Sequence, residues 1–356
     1  MSHLNQSHFA QRVLSIGIKR CLPLALGVFL LCSACNSGVQ DYAYPTFPRN
    51  EKLTGEILQE DLAMNPPLDI FCTERYVVML SLRDNLLLHF FDKETGKYVG
   101  SQLNYGRGAN EFLRCDNFNY DPKKHIVSFN NATKQTLTRF VLTDSATCCN
   151  FETVRREGGE PKYHTIFAMP DNGYLVAQAP IDGEAWLQRF DSTGRLIGTC
   201  TKALTDPLER NSSDGQSWAA LSPDSKHYAR ISTYGCILQI YDIERECITE
   251  KFTGRYIRPI GKVEEPYGFR FMPEETIMGA CDLYATNDYL VAPMLNSCKD
   301  SVSTIVVWNW DGDPIAQFET GHLVAKLCID PCDPTRIYTF SVVNEEFVLE
   351  KFCVKL

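Results

Sequence analysis

Short runs of aliphatic and aromatic residues, separated by turn-forming residues, follow one another from about residue 68 to the end of the chain. Residues 237–241 and 305–310 are two such runs. Their apolar positions recur with the two-residue period of a β-strand, whereas an amphipathic helix would place them three or four residues apart. The pattern therefore predicts an all-β protein.

One unit of this pattern is repeated six times. A turn leads into two or three β-branched or aromatic residues, and the copies recur at intervals of 48 to 61 residues. Their central residues are Tyr76, His125, Tyr174, Tyr228, Tyr289 and Ile337. Most copies are followed by a second turn such as Asp92-Lys-Glu-Thr-Gly96, because Asp bonds to its own backbone and Gly accepts a positive φ in a tight hairpin.

A repeat of about 40 to 50 residues with four short strands is typical of a β-propeller blade. We predict a six-bladed β-propeller, with five or seven blades as the alternatives. The predicted blades cover residues 68–103, 117–155, 163–201, 216–253, 277–319 and 323–356. The last repeat is one strand short, so we expect residues 53–61 to complete it and close the ring from the N-terminal side.

The first 34 residues have the pattern of a secretory leader. Arg12, Lys19 and Arg20 precede an apolar run at 21–31, which is too short to span a membrane. The run ends in Cys32-Ser-Ala-Cys35, which resembles a bacterial lipobox. We predict cleavage before Cys35 and lipidation of that cysteine, with residues 35–52 as a tether and 53–356 as the propeller. The alternative is ordinary cleavage that leaves Cys35 unmodified.

Composition narrows the partners of the exported chain. The formal net charge is −9 and no run of basic residues occurs after the leader, which argues against nucleic-acid binding. An acidic body is not attracted to anionic lipids, so we expect membrane contact only through the lipid anchor. Twelve cysteines follow Cys35, and an oxidising compartment would permit disulfides, although their spacing indicates no zinc site.

The segment Tyr105-Gly-Arg-Gly-Ala-Asn-Glu-Phe112 follows the first predicted blade. It resembles the Gly-x-Gly-Pro-x-Glu-Phe element of TolB-like six-bladed propeller lipoproteins of Bacteroidetes, with Ala109 in place of Pro. The resemblance implies an exported binding or scaffold protein anchored in the cell envelope. In this segment we expect Gly106 and Gly108 to allow a sharp turn and Glu111 to cap its amides.

A ligand site is predicted where the loops between blades gather at one mouth of the channel. Arginine side chains there could grip carboxylate oxygens, and aromatic rings could stack on a sugar. The candidate ligand-binding residues are Arg107, Glu111, Arg114, Tyr163, His164, Trp218, Arg255, Arg258, Tyr267, Arg270 and His322. The five arginines predict an anionic or carbohydrate ligand, and an envelope protein is the other candidate partner.

Catalytic motifs are missing from the sequence. It contains neither a Gly-x-Ser-x-Gly elbow nor a His-Glu-x-x-His pair. We therefore expect a non-catalytic, monomeric binding or scaffold protein that needs no cofactor or metal. The alternative is a glycan or lactone hydrolase or lyase, since fold alone does not decide function. Asp144-Ser-Ala and Asp191-Ser-Thr resemble an O-glycosylation sequon, so Ser145 and Ser192 are candidate modification sites.

We expect the mature protein to begin at Cys35 and to carry an acyl anchor on its sulfur, because the charged, apolar and small segments lead to this cysteine in lipobox order. Intact-mass analysis of protein from the membrane fraction measures both features. A Cys35→Ser variant is the control and should lose the acyl mass. A wild-type chain that begins elsewhere, or that lacks the acyl mass, would contradict the prediction.

Overall fold

The structure is a computed structural model. It describes residues 44–60, 62, 65–134, 136–155, 164–178, 186–201, 217–257, 260–264, 268–272, 275, 278–295 and 302–355. These residues form 28 β-strands and no helix. Six sheets of four or five strands are arranged as the blades of a six-bladed β-propeller, which confirms the predicted fold class.

The strands follow the blades in chain order. Blade 1 contains β3 (Asp69–Cys72), β4 (Tyr76–Arg83), β5 (Leu86–Asp92), β6 (Tyr98–Tyr105) and β7 (Glu111–Phe112). Blade 2 contains β8 (Cys115–Asp121), β9 (Ile126–Asn131), β10 (Thr136–Leu142) and β11 (Cys148–Arg155). Blade 3 contains β12 (His164–Ala168), β13 (Tyr174–Gln178), β14 (Leu187–Phe190) and β15 (Leu196–Cys200).

The second half of the ring is built in the same way. Blade 4 contains β16 (Ser217–Leu221), β17 (His227–Ser232), β18 (Cys236–Ile243) and β19 (Ile248–Ile257). A separate hairpin is formed by β20 (Gly261–Glu264) and β21 (Gly268–Phe271). Blade 5 contains β22 (Tyr284–Ala285), β23 (Tyr289–Met294), β24 (Thr304–Asn309), β25 (Pro314–Glu319) and β1 (Arg49–Lys52). Blade 6 contains β26 (Leu323–Ile329), β27 (Arg336–Val343), β28 (Glu346–Cys353) and β2 (Glu56–Gln59).

The hydrophobic core is divided among the junctions between blades. Six clusters of buried side chains occur in the described residues, and each cluster draws its members from two neighbouring blades. Trp308 and Leu238, for example, meet between blades 4 and 5, whereas Phe340 and Met79 meet between blades 6 and 1. Because both faces of every sheet are apolar, each blade needs a neighbour on either side to leave water.

The hairpin turns have the chemistry that the sequence predicts. In the turn of blade 3, one carboxylate oxygen of Asp191 accepts hydrogen bonds from the amides of Thr193 and Arg195, at 2.9 and 3.0 Å. Gly194 has a φ of 86° in the same turn. These local hydrogen bonds and the positive φ of Gly194 stabilise the turn, which explains why Asp and Gly follow the third strand of the blade.

The Tyr105-to-Phe112 segment folds back on the outer strand of blade 1. The carboxylate of Glu111 accepts a hydrogen bond of 2.8 Å from the amide of Gly108, which confirms that Glu111 caps this turn. A Cβ atom at Gly106 would lie 2.1 Å from the same carboxylate. Glycine at this position therefore permits the close approach of Glu111, and none of the turn's glycines is among those with a positive φ.

The N-terminal segment lies against the last two blades. β1 pairs in parallel with β25, and Phe47 is buried between blades 4 and 5. Residues 44–52, which the sequence assigns to the tether, thus contact the folded body through the β1 pairing and the buried Phe47 ring. β2 then pairs antiparallel with β28 as the outer strand of blade 6.

The junction between blades 6 and 1 carries charged as well as apolar contacts. The ammonium group of Lys93 donates to both carboxylate oxygens of Asp330, at 3.0 and 2.9 Å, and both side chains are buried. Next to this pair, Arg336 donates to Glu94 at 2.7 Å. A buried ion pair demands correct geometry more than it adds net stability, so the buried Lys93–Asp330 pair favours one alignment of the two blades.

Ring closure by β2 is a prediction that a deletion tests. Removing residues 51–62 should expose the edge of β28 and lower Tm by about 10 °C or more, because an uncovered edge strand loses its hydrogen bonds and invites aggregation. Thermal melting followed by circular dichroism measures the change. Deletion of residues 36–42, at the start of the predicted tether, is the control. A 51–62 deletion that melts like the full chain would contradict closure by this strand.

Candidate functional site

The first strands of the six blades surround a central channel with a volume of about 1700 Å³. Its lining includes residues from β3, β8, β12, β16, β22 and β26. In the described part of the chain, no further strand lies on the channel side of these inner strands. Their free edges therefore present backbone amides and carbonyls that need partners within the channel or from water.

One level of the channel carries a belt of polar and aromatic side chains. We place two residues at the same level when each pairs with the fourth or fifth residue of the second strand of its own blade. Asp69, for example, pairs with Leu80, and Lys326 pairs with Phe340. Asp282 precedes β22 at the corresponding place, where Cys281 donates to Pro293. The channel belt consists of Asp69, Asp116, Thr165, Trp218, Asp282 and Lys326.

Lys326 of blade 6 contacts two other belt residues, Asp282 of blade 5 and Trp218 of blade 4. The ammonium group of Lys326 lies 3.3 Å from a carboxylate oxygen of Asp282 and 3.4 Å from the centroid of the Trp218 ring. The other oxygen of Asp282 accepts a hydrogen bond of 3.1 Å from the amide of Leu327. The indole N–H of Trp218 donates to the carbonyl of Ala280 at 2.9 Å. This arrangement combines an ion pair with a cation–π contact.

Asp69 occupies the belt between blades 1 and 2. Its two carboxylate oxygens accept hydrogen bonds from the amides of Ile70, at 2.8 Å, and Phe118, at 3.0 Å. Burial and the nearby negative charge of Asp282 raise the pKa of Asp69, the Lys326 ammonium and the two amide hydrogen bonds oppose them, and the net pKa is about 7. Asp69 therefore exchanges its proton near neutral pH.

Asp116 brings a third carboxylate to the belt. It accepts hydrogen bonds from the side-chain amides of Asn130, at 2.6 Å, and Asn117, at 2.9 Å. Burial raises its pKa above the ordinary value, against the effect of these amides. With three carboxylates and one ammonium group, the belt has an excess of acidic groups.

The structure distributes the residues predicted for the rim. Trp218 and Arg114 line the channel. Arg107 lies in the exposed turn beyond β6, and Arg255 lies on the outer strand of blade 4. Both are absent from the described lining of the channel.

The other predicted site residues are engaged elsewhere or lie outside the description. Glu111 caps its own turn, and an imidazole nitrogen of His322 lies 2.6 Å from the buried carboxylate of Glu350. The backbones of His164 and Arg270 belong to β12 and β21. Tyr163, Arg258, Tyr267 and Cys35 lie outside the described residues. A positive rim of five arginines stays a prediction.

A family profile described as a TolB-like 6-blade propeller matches residues 46–331 of the chain. The chain belongs to this family. The match covers all six inner strands of the TolB-like propeller, including every residue of the channel belt.

Solved structures resemble the TolB-like propeller in fold. A member of the DUF4221 family from Bacteroides vulgatus is 11% identical, with a TM-score of 0.53 over 86% of this chain and 96% of that chain. A candidate exported protein of Bacteroides fragilis is 12% identical, with a TM-score of 0.48 over 86% and 99%. No curated protein matches the sequence.

The described residues of the TolB-like propeller contain neither a metal-type cluster nor a membrane-spanning helix. No group of three or more metal-ligating His, Cys, Asp or Glu side chains is found there. In the same part of the chain, none of the elements is a helix of the length and apolarity needed to span a membrane.

Sequence reasoning missed the acidic belt of the TolB-like propeller, although a signal was present. Asp69-Ile-Phe-Cys-Thr73 and Asp282-Leu-Tyr-Ala-Thr286 have the same order of acidic, aliphatic, aromatic, small and hydroxyl residues. In the turn that follows, the hydroxyl of each threonine accepts hydrogen bonds from the backbone amides two and three residues further along the chain. Alignment of the repeats at these turns would have placed both aspartates at one level.

We expect Asp69→Asn to change how stability depends on pH. Between the ordinary Asp pKa of 3.8 and about 7, the folded protein holds a proton on Asp69 that the unfolded chain releases. The wild type should therefore lose stability relative to the variant as pH rises from 5 to 8. Thermal melting at both pH values measures the difference in Tm.

Asp191→Asn is the matched control for this experiment. Hydrogen bonds lower the pKa of the exposed Asp191 to about 2. This group is ionised in both states between pH 5 and 8, so its difference in Tm should not change. An equally constant difference for Asp69→Asn would contradict a raised pKa.

Proposed function

We propose that this TolB-like propeller is an exported, lipid-anchored protein of the bacterial envelope that binds a ligand in its channel without catalysis. The leader and the lipobox pattern around Cys35 support export and anchoring. The family match over residues 46–331 supports a six-bladed propeller behind the anchor. An anchored body with an open channel is suited to capturing ligand near the membrane.

The channel belt is the observation that carries the binding proposal. It places Asp69, Asp116 and Asp282 on one level of a channel of about 1700 Å³, with Lys326 and Trp218 beside them. Concave sites with a few convergent polar groups and shifted pKa values are the usual places of ligand binding. A cavity of this volume accepts a small molecule of several rings or residues.

The charge of the belt favours a ligand that carries an ammonium group. Asp282 already forms an ion pair with Lys326, whereas Asp69 and Asp116 accept hydrogen bonds from neutral amides. A cation near Asp69 would stabilise its ionised form and would be bound more tightly in return. Amide donors such as Asn117 suit hydroxyl groups. We therefore propose an amino sugar or a similar hydroxylated amine.

Calorimetric titration with three related sugars tests the ligand class. Glucosamine, the neutral N-acetylglucosamine and the anionic glucuronic acid differ mainly in charge. Glucosamine should bind most tightly, and Asp69→Asn or Asp116→Asn should weaken it about tenfold by removing one carboxylate. Asp191→Asn, on a surface turn, is the control and should leave binding unchanged.

The anionic ligand predicted from the rim arginines is the competing result. It requires glucuronic acid to bind best, and Arg114→Ala to weaken it while Asp69→Asn does not. Such binding should also weaken as salt rises, because exposed charges are screened over about 8 Å at physiological ionic strength. Equal heats from all three sugars and from buffer would contradict a sugar-binding channel.

A scaffold role and an enzymatic role are the remaining candidates. If a protein partner uses the propeller surface, detergent-solubilised membranes should yield a stoichiometric complex on the wild type and equally on Asp69→Asn. A hydrolase or lyase on this fold would normally gather several carboxylates or histidines at the channel mouth, often around a metal. Metal analysis of the purified protein tests that role, and a stoichiometric metal would favour the enzyme.

A further inference from the structure

Two buried cysteines lie at the junction of blades 6 and 1. Cys72 ends the inner strand β3, and Cys328 lies near the end of the inner strand β26. Their side chains are 3% and 0% exposed and belong to the same buried cluster, together with Val77 and Tyr338. Both cysteines are reduced in the structure.

This pairing distinguishes the two from the other buried cysteines of the described residues. Cys115, Cys200 and Cys236 each lie in a different cluster, between other pairs of blades. A buried cysteine alone in a core behaves as a small apolar side chain. Two that share one junction are in a position to be joined.

The environment of the pair explains when a bond could form. Burial raises the pKa of Cys328, and the neighbouring Cys72 thiol raises it further. Only the thiolate attacks a disulfide, so these thiols exchange slowly once the ring is closed. Oxidation is therefore expected while blades 6 and 1 are still meeting, when both sulfurs are accessible.

We propose that Cys72 and Cys328 form a disulfide bond that joins the inner strands of blades 1 and 6 in the exported protein. One thiolate attacks an external disulfide, and the resulting mixed disulfide is resolved by the second thiol. The protein pair loses two electrons and two protons, and the external disulfide is reduced to two thiols. In the envelope the oxidant is a thiol–disulfide oxidoreductase, and in the test it is glutathione disulfide.

The location gives the bond its effect. It would link residues about 250 positions apart, and cross-links that close long loops restrict the unfolded chain most. The same junction holds the Lys93–Asp330 and Arg336–Glu94 ion pairs. The disulfide would therefore make covalent the junction between the last blade and the first.

The bond is tested by refolding the denatured, reduced full-length chain in a glutathione redox buffer. Free thiols are then alkylated under denaturing conditions, and the digest is analysed by mass spectrometry. We expect a cross-linked pair of peptides that contain Cys72 and Cys328, and a protein mass about 2 Da lower than that of the reduced form. Full alkylation of both cysteines, or a different partner for either, would overturn the proposal.

Stability provides a second measurement with matched variants. The refolded wild type should melt on the order of 10 °C higher than its reduced form. Cys72→Ala with Cys328→Val should remove this difference, while Cys148→Ser with Cys149→Ser, at an adjacent pair in blade 2, should keep it. If the first variant fails to fold, the peptide map of the wild type still decides. A redox-dependent Tm that persists without Cys72 and Cys328 would contradict the assignment.

The proposal rests on export in one respect, since a stable disulfide needs an oxidising compartment. The refolding experiment does not depend on location, and the sugar titrations do not depend on the disulfide. A cross-link that forms in glutathione but is missing from protein isolated from membranes would contradict the bond in the exported protein and leave channel binding as it is.

Discussion

Each blade of this propeller is a thin sheet with two apolar faces, and both faces leave water only when a blade stands on either side. Six buried clusters, one for each junction of the described blades, are the result. Five junctions join blades that are consecutive in the chain. The sixth joins blade 6 to blade 1 and closes the ring. Until it forms, blades 1 and 6 each keep one apolar face exposed to water. Lys93 and Asp330 reinforce the alignment of these two blades, because neither charge tolerates burial without its partner.

The ring also leaves six inner strands with free edges around a channel, and the backbone amides at these edges need hydrogen-bond acceptors. The channel belt supplies some of these acceptors. Asp69 accepts a hydrogen bond from the amide of Phe118 in the next blade, and Asp282 likewise accepts one from the amide of Leu327. The carboxylates thus connect neighbouring blades and at the same time give the channel its acidic character. Burial, together with the negative charge of Asp282, raises the pKa of Asp69 to about 7. Fold and candidate site depend here on the same side chains.

Closure and binding are therefore linked through blade 6. Its inner strand contributes Lys326 to the belt and Cys328 to the junction with blade 1. Its outer partner is β2, which comes from the beginning of the folded body. A change that displaces β26 should therefore disturb both the Lys326–Asp282 ion pair and the buried cluster between blades 6 and 1, since both depend on the position of this strand.

The sequence by itself determined the six repeats, the all-β class, the family resemblance and the turns at Asp191 and Glu111, because each depends on residues close together in the chain. Only the tertiary structure brought Asp69, Asp116, Asp282 and Lys326 to one level, or separated Arg107 and Arg255 from the channel. The side on which a loop residue lies, and the level that an inner-strand residue reaches, depend on strand register and bulges. One extra residue, as in the bulge between Asp116 and Asn119, moves a side chain to another place. A local residue pattern does not show where such a bulge shifts the strand register.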